Sequence, residues 1–166
     1  KKLHMQTLGA IAHIDYNTPG LCSYEQAAGY MRQMNLDAKD MEQLYRRMVF
    51  NVLAVNQDDH VKNISFLMDK NGVWKLSPAY DITFSYDIGN KWISAHQMLI
   101  NGKKENITPE DLIRSGQNMD ISTRRCKNII SDVTKAVDSW MAIADEAGIR
   151  EKTAAYIEKI MKLQKI

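Results

Sequence analysis

Between Asp40 and Asn56 the apolar positions fall at Met41, Leu44, Tyr45, Met48, Val49, Val52 and Leu53. Steps of three and four residues place them on one face of a helix, the most sharply patterned in the chain. Upstream, SYEQAAGYMRQM (23–34) opens with Ser23 and has Gln26 three residues later, a capping-box pattern that predicts another helix. His4 and His13 fall on a short predicted first helix and are read as surface or packing residues. Downstream, TPEDLIRSG offers Thr108 as N-cap, Pro109 at the first helical position and acids in the first turn. A long helix is expected from about Ser122, with Cys126, Ile129, Ile130, Val133, Val137, Trp140, Met141 and Ala144 on one stripe. Gly148 ends it, and REKTAAYIEKIMKLQKI reads as a final amphipathic helix. The period changes in the middle. NISFLMD and VWKLSPAYD, rich in β-branched and aromatic residues, flank KNG and predict a β-hairpin turning at Gly72. Residues 82–106 follow neither period and read as loop, with turns at Gly89 and Gly102. The pattern predicts a mainly α chain with a small β-hairpin. With no internal repeat or linker, 1–166 is expected to be a single domain, with 120–166 as its terminal helical part.

Composition changes this picture little. A hydrophobic share of 45% and a charged share of 25% are ordinary for a globular protein, and a net charge of +2 selects neither nucleic acid nor a membrane surface. No apolar run reaches the ~18 residues needed to span a bilayer. The start, KKLHMQTLGA, lacks the apolar core of a secretory signal and an initiator methionine, so further residues upstream are expected. Cys22 and Cys126 lie too far apart for a zinc motif or a disulfide framework and are read as small buried thiols, with the cytoplasm as the default location. The methionines Met31, Met34, Met41 and Met48 are read as core. Arg124, Arg125 and Lys127 form a basic group that could touch DNA or a partner. A solvated helix face is the favoured reading, because Asp132 and Asp138 interrupt the charge.

The chemistry lies after the strongest helix, in NQDDHVKN (56–63). Such a stretch can be a polar loop whose aspartates turn the backbone. However, Asp58 and Asn63 stand in the D-x-x-x-x-N spacing of a kinase catalytic loop, where the carboxylate orients an attacking hydroxyl and the amide oxygen ligates a metal. Lys62 lies between them and can offset charge on a phosphoryl group in transfer. Asp81, 23 residues after Asp58, is brought back toward Asn63 by the predicted hairpin. An Asn and an Asp, both hard oxygen ligands, suit Mg²⁺ and not zinc. His60 is read as bracing the loop and not as transferring protons. His96 and Gln97 could position a substrate or line a nucleotide pocket, and a structural role is favoured.

FNVLAVNQDDHVKNISFLM followed by WKLSPAYDI closely resembles the C-terminal domain of the HipA-type serine/threonine kinases, the toxins of bacterial toxin–antitoxin pairs. RRMVFN, HIDYNTPG and HQMLINGK carry the same likeness, which spans most of residues 3–115 and weakens over the last two helices. The resemblance implies the helical C-lobe of a protein-kinase-like fold with its N-lobe absent. It places the catalytic aspartate on Asp58 and the magnesium ligands on Asn63 and Asp81, with His60 and Lys62 in supporting positions. Asp59 falls where glycine occurs in the family, which implies a dispensable side chain and an incidental Asp58–Asp59 pair. Tyr80 falls on the aromatic position before the metal aspartate. The implied reaction is transfer of the ATP γ-phosphate to Ser or Thr of a protein, with an aminoacyl-tRNA synthetase as the implied target. The implied partner is a helix-turn-helix antitoxin of HipB type, through which any DNA contact would be indirect. The family's N-terminal part, with its ATP-covering loop and phosphate-reaching lysine, is not found in the 166 residues. The chain is therefore expected to be a piece of a longer kinase or one subunit of a split one, inactive alone. Two alternatives stay open: a metal-dependent phosphoesterase built on Asp58, Asp59, His60 and Asp81, and a non-catalytic module that binds an antitoxin.

Overall fold

The computed structural model describes residues 2–164. It is about half helical and carries a small antiparallel sheet. In chain order the elements are β1 (His4–Thr7), α1 (Leu8–Ala12), α2 (Tyr24–Gln33), α3 (Ala38–Leu53), β2 (Ser65–Met68), β3 (Trp74–Leu76), α4 (Pro109–Asn118), α5 (Thr123–Asp138), α6 (Trp140–Glu146) and α7 (Glu151–Leu163).

Helix α3 is the axis of the core. Its stripe of Met41, Leu44, Tyr45, Met48, Val49, Val52 and Leu53 is buried, as the apolar spacing predicts. Helix α2 packs beside it through Ala27, Ala28 and Met31, while α5 contributes Cys126, Ile129 and Val133. Helix α2 begins with the predicted capping box of Ser23 and Gln26, and α4 with the predicted N-cap Thr108, which closes a box with Asp111. Met31, Met41 and Met48 are core residues and Met34 packs against them. Both thiols are buried and free, and burial pushes the Cys22 thiol up to about 11.

The predicted hairpin forms, with Asp69 Oδ1 accepting from the Asn71 and Val73 amides and Gly72 in the left-handed region at φ 80°. The first segment differs from expectation. His4 lies in a strand and not a helix: β1 pairs antiparallel with β2, from His4 opposite Met68 to Thr7 opposite Ser65, so the hairpin is the larger part of a three-stranded sheet. Four residues are too few to display an alternation, and the pairing is decided by the sheet edge that β2 offers. His13 ends α1 at φ 52°.

The long C-terminal helix is also interrupted. It breaks at Ser139, whose hydroxyl donates to the Lys135 carbonyl at 3.0 Å and competes with the helix ladder. The break lets the Trp140 indole donate to the Ala154 carbonyl of α7 at 3.0 Å, and it leaves Met141 at the surface, off the core stripe. The α6–α7 pair then packs back on the body, with Tyr156 edge-on to Phe84. Arg125 of the basic group makes a two-pronged pair with Glu42 of α3, at 2.9 and 2.6 Å, while Arg124 and Lys127 are exposed. Among the described residues no helix is long and apolar enough to cross a membrane.

Candidate active site

Helix α3 ends in a residue type that seldom adopts the required backbone. Val55, buried and β-branched, sits at φ 55°, a strained conformation costing on the order of 1–3 kcal/mol. Its carbonyl accepts from Ser85 N at 3.0 Å, and Gln57 N donates to Ser85 O at 3.0 Å. The first half of the loop is thereby stitched to the 82–86 segment. The second half is held by α1 and β1: Gly9 N donates to Val61 O at 3.1 Å, and Leu8 N to Ile64 O at 2.8 Å.

Within this frame Asn63 N donates to His60 O, and the Asn63 side-chain amide donates to the main-chain oxygen of Asp58, both at 2.9 Å. Because a carbonyl can only accept, the Asn63 nitrogen must face it and the amide oxygen is the group left over. Asp58 is anchored by its backbone while its carboxylate, 42% exposed, has no hydrogen bond among the described residues. His60 Nε2 lies 3.9 Å from Asp58 Oδ1. His60 Nδ1 is buried without a partner, and the ring lies edge-on to Tyr16. The Lys62 ammonium rests 3.5 Å above the Tyr16 ring, a cation–π contact that parks the charge beside the loop and not on Asp58.

Asp81 is exposed, at φ 54°, a conformation Asp tolerates better than most residues. It makes no hydrogen bond or ion pair with Asp58, His60 or Asn63. What ties it to them is its neighbour: the Tyr80 hydroxyl donates to Lys62 O at 2.5 Å and is also bonded to Ser65 Oγ. Asp58, His60 and Asn63 thus share one turn, Asp81 is fastened to that turn through Tyr80, and Lys62 points aside. No group of three or more His, Cys, Asp or Glu side chains among the described residues could hold a metal. The donor set still fits Mg²⁺, which keeps several waters and needs only one or two protein oxygens. Asn63 and Asp81 each present one unengaged oxygen group.

Asp59 departs most from expectation. Its side chain is 2% exposed. Oδ2 accepts from Tyr24 OH at 2.9 Å and meets His96 Nδ1 at 3.1 Å, and Oδ1 accepts from Gln97 N at 2.8 Å. A buried carboxylate with three partners is built into the fold, which the expectation of a dispensable side chain did not foresee, and it faces away from any joint role with the Asp58 carboxylate. It also explains His96 and Gln97, which are buried here and serve Asp59. The network extends through α3: Asn51 Nδ2 donates to Tyr24 OH at 2.9 Å and Asn56 Nδ2 to Asn51 Oδ1 at 3.0 Å. Burial, with Asp59 beside it, holds the Tyr24 hydroxyl well above the usual tyrosine range. Sequence reading passed over Tyr24 and Asn51. The signal was present in Asn51, a polar residue three positions after Met48 on the apolar face of α3.

The model of the HipA-like C-terminal domain matches residues 1–141. This chain belongs to that family. The match ends just past the break at Ser139 and reaches well beyond the segment in which the sequence motifs stand out. A Haemophilus influenzae protein named "Putative kinase" is 37% identical over 60 residues, covering 36% of this chain and 18% of that protein. A chain in the structure of the Shewanella oneidensis toxin–antitoxin complex of HipA, HipB and operator DNA shares the fold, with a TM-score of 0.54 at 20% identity, over 73% of this chain and 29% of that one. The chain therefore spans less than a third of the length of either relative.

Proposed function

We propose that this chain is the helical C-lobe of a HipA-type serine/threonine protein kinase, the half that binds magnesium and orients the acceptor hydroxyl. The observation that carries this reading is the 57–63 loop: the residues around Asp58 are hydrogen-bonded into the frame, and the Asp58 carboxylate is left free. A rigid turn presenting one unpaired carboxylate suits proton removal from, or orientation of, an incoming hydroxyl. In this reading Asp58 receives the proton of a Ser or Thr hydroxyl as its oxygen bonds to the γ-phosphorus of ATP, the substrate, while the bond from that phosphorus to the β,γ-bridging oxygen breaks and ADP leaves. His60 steadies the carboxylate from 3.9 Å. Lys62 leaves its resting place on Tyr16 to offset charge on the phosphoryl group, and Asn63 with Asp81 hold Mg²⁺. When bound, Mg²⁺ offsets the charge of the ATP phosphates. Residues 1–166 form one domain in this reading, with 120–166 as its terminal helical part.

The partner proposed by likeness is an antitoxin of HipB type, the protein found with the Shewanella HipA, and DNA would be reached through it. The protein acceptor that the family resemblance implies is an aminoacyl-tRNA synthetase. A phosphoesterase built on Asp58, Asp59, His60 and Asp81 is less well supported, because Asp59 is buried and spends its oxygens on three donors. Mn²⁺, a paramagnetic stand-in for Mg²⁺, tests the metal assignment by NMR. It is expected to broaden the Asn63 side-chain amide and the Asp81 backbone amide selectively, and Asp81→Asn is expected to weaken that binding at least tenfold. Broadening centred elsewhere, or unchanged by Asp81→Asn, removes these two residues from the metal role.

A further inference from the structure

We propose that Asp59 is a positioning residue for the catalytic loop, acting with His96 and Tyr24 as a buried clamp. The inference rests on the kinase reading of Asp58 and Asn63 and adds a role for the residue between them. Taking a carboxylate out of water is costly unless donors replace its hydration, and three do so here, two of them on side chains that are themselves buried. The donors come from separate parts of the chain: Tyr24 from the first turn of α2, His96 and Gln97 from the segment leading to α4. Asp59 is thus fixed to two segments that are themselves joined, Tyr24 N donating to Leu99 O at 3.0 Å and Leu99 N to Cys22 O at 2.9 Å, and its backbone is continuous with Asp58. The Tyr24 hydroxyl is shared onward with Asn51 and through it with Asn56, two residues before Asp58. One network therefore grips the loop on both sides of Asp58, and the Asn63 amide closes the turn onto the Asp58 carbonyl. Because Nδ1 of His96 faces a carboxylate, that nitrogen carries the proton. A neutral amide at position 59 could keep its oxygen on the Gln97 amide only by turning its NH₂ group to the Tyr24 hydroxyl and His96 Nδ1, which would both have to accept, and it would lose the charge that strengthens all three bonds.

The test uses the Asn63 side-chain amide of this chain as a reporter, in Asp59→Asn and in the milder Tyr24→Phe. In the wild type its protons are expected to be shifted and slow to exchange, held by the Asp58 carbonyl. Asp59→Asn is expected to move them to free-amide positions and to lower Mn²⁺ affinity at Asn63 at least fivefold. The methyl signals of Leu112 and Ile129, remote in the core, are expected to stay in place. Tyr24→Phe gives a smaller change in the same direction, and it decides the matter if Asp59→Asn fails to fold. An Asn63 amide unmoved in the folded variants makes Asp59 a structural group only and overturns the proposal. If the wild type gathers no Mn²⁺ at Asn63, the metal assignment fails separately, and the amide signals still decide the role of Asp59.

Discussion

Asp111 shows how a single side chain can anchor a segment that has no regular structure. It caps α4 by accepting from Thr108 N at 2.9 Å and Thr108 Oγ1 at 2.7 Å. It also accepts from Asn101 Nδ2 and Lys103 Nζ, both at 2.8 Å. Burial alone would raise its pKa, but the hydrogen bonds from Lys103, Thr108 and Asn101 outweigh it and hold the carboxyl well below the usual value of 3.8. A group depressed in the folded state contributes stability at every pH above its unfolded value, and that stability is lost as pH falls through it toward the folded value. Asp111→Asn is therefore expected to cost about 1–3 kcal/mol near neutrality and to flatten the loss of stability below about pH 4. Urea unfolding at several pH values checks this, and an unchanged acid limb would show that Asp111 does not govern it. The resemblance of HQMLINGK to its family thus has a physical content: Asn101 and Lys103 are the residues that reach Asp111. Spacing singled out Asp58, Asn63 and Asp81 as candidates, because a loop motif is local. The clamp around Asp59 was not legible, since its donors lie 35 to 38 residues away and nothing local marks them.

Among the elements, those with a long apolar stripe or a local cap could be read directly: α2, α3, α4, the start of α5 and the β2–β3 hairpin. Strand β1 could not, because its existence depends on an edge supplied 60 residues later in the chain. The break at Ser139 was hidden because the apolar stripe continues across it, and only the Trp140 contact with α7 gives the break a purpose. The close approach of α4 to α5 depends on Gly116. A Cβ there would collide with Cys126 Sγ and stand 2.9 Å from the Tyr45 ring. Gly116→Ala would normally favour a helix, so its propensity effect and its packing effect have opposite signs. Overpacking is expected to win, with a net loss of about 1–3 kcal/mol in thermal or urea unfolding. A neutral or stabilising result would show that α4 can move away from α5 at little cost.

For the whole molecule, the question is how much of a phosphoryl-transfer site one lobe can supply. The reaction demands little covalent chemistry from the protein and much positioning, and the gain from holding both reactants corresponds to effective concentrations on the order of 10⁵–10⁸ M. Among the described residues the chain offers the Asp58 carboxylate without a hydrogen bond, the Asn63 amide oxygen and the Asp81 carboxylate, and a lysine held on an aromatic ring. The matches cover 29% of the structural neighbour's chain and 18% of the curated relative. The sequence carries no glycine-rich phosphate loop to fix the far end of ATP. In the proposed reading this chain would hold the nucleotide at one end only, and the γ-phosphate would not be kept in line with a hydroxyl at Asp58. The 166-residue chain, given ATP and Mg²⁺, is therefore expected to transfer no measurable phosphate to itself or to an added Ser/Thr protein, in an assay with radiolabelled γ-phosphate. Joining it to the nucleotide-binding part of a HipA-type relative is expected to raise transfer from nothing to a measurable rate. Asp58→Asn in the joined protein is expected to remove at least a hundredfold of that rate while leaving Mn²⁺ binding at Asn63 in place. Robust transfer by the chain alone would overturn the division of the site into two halves, and transfer surviving Asp58→Asn would take the hydroxyl-orienting role away from Asp58.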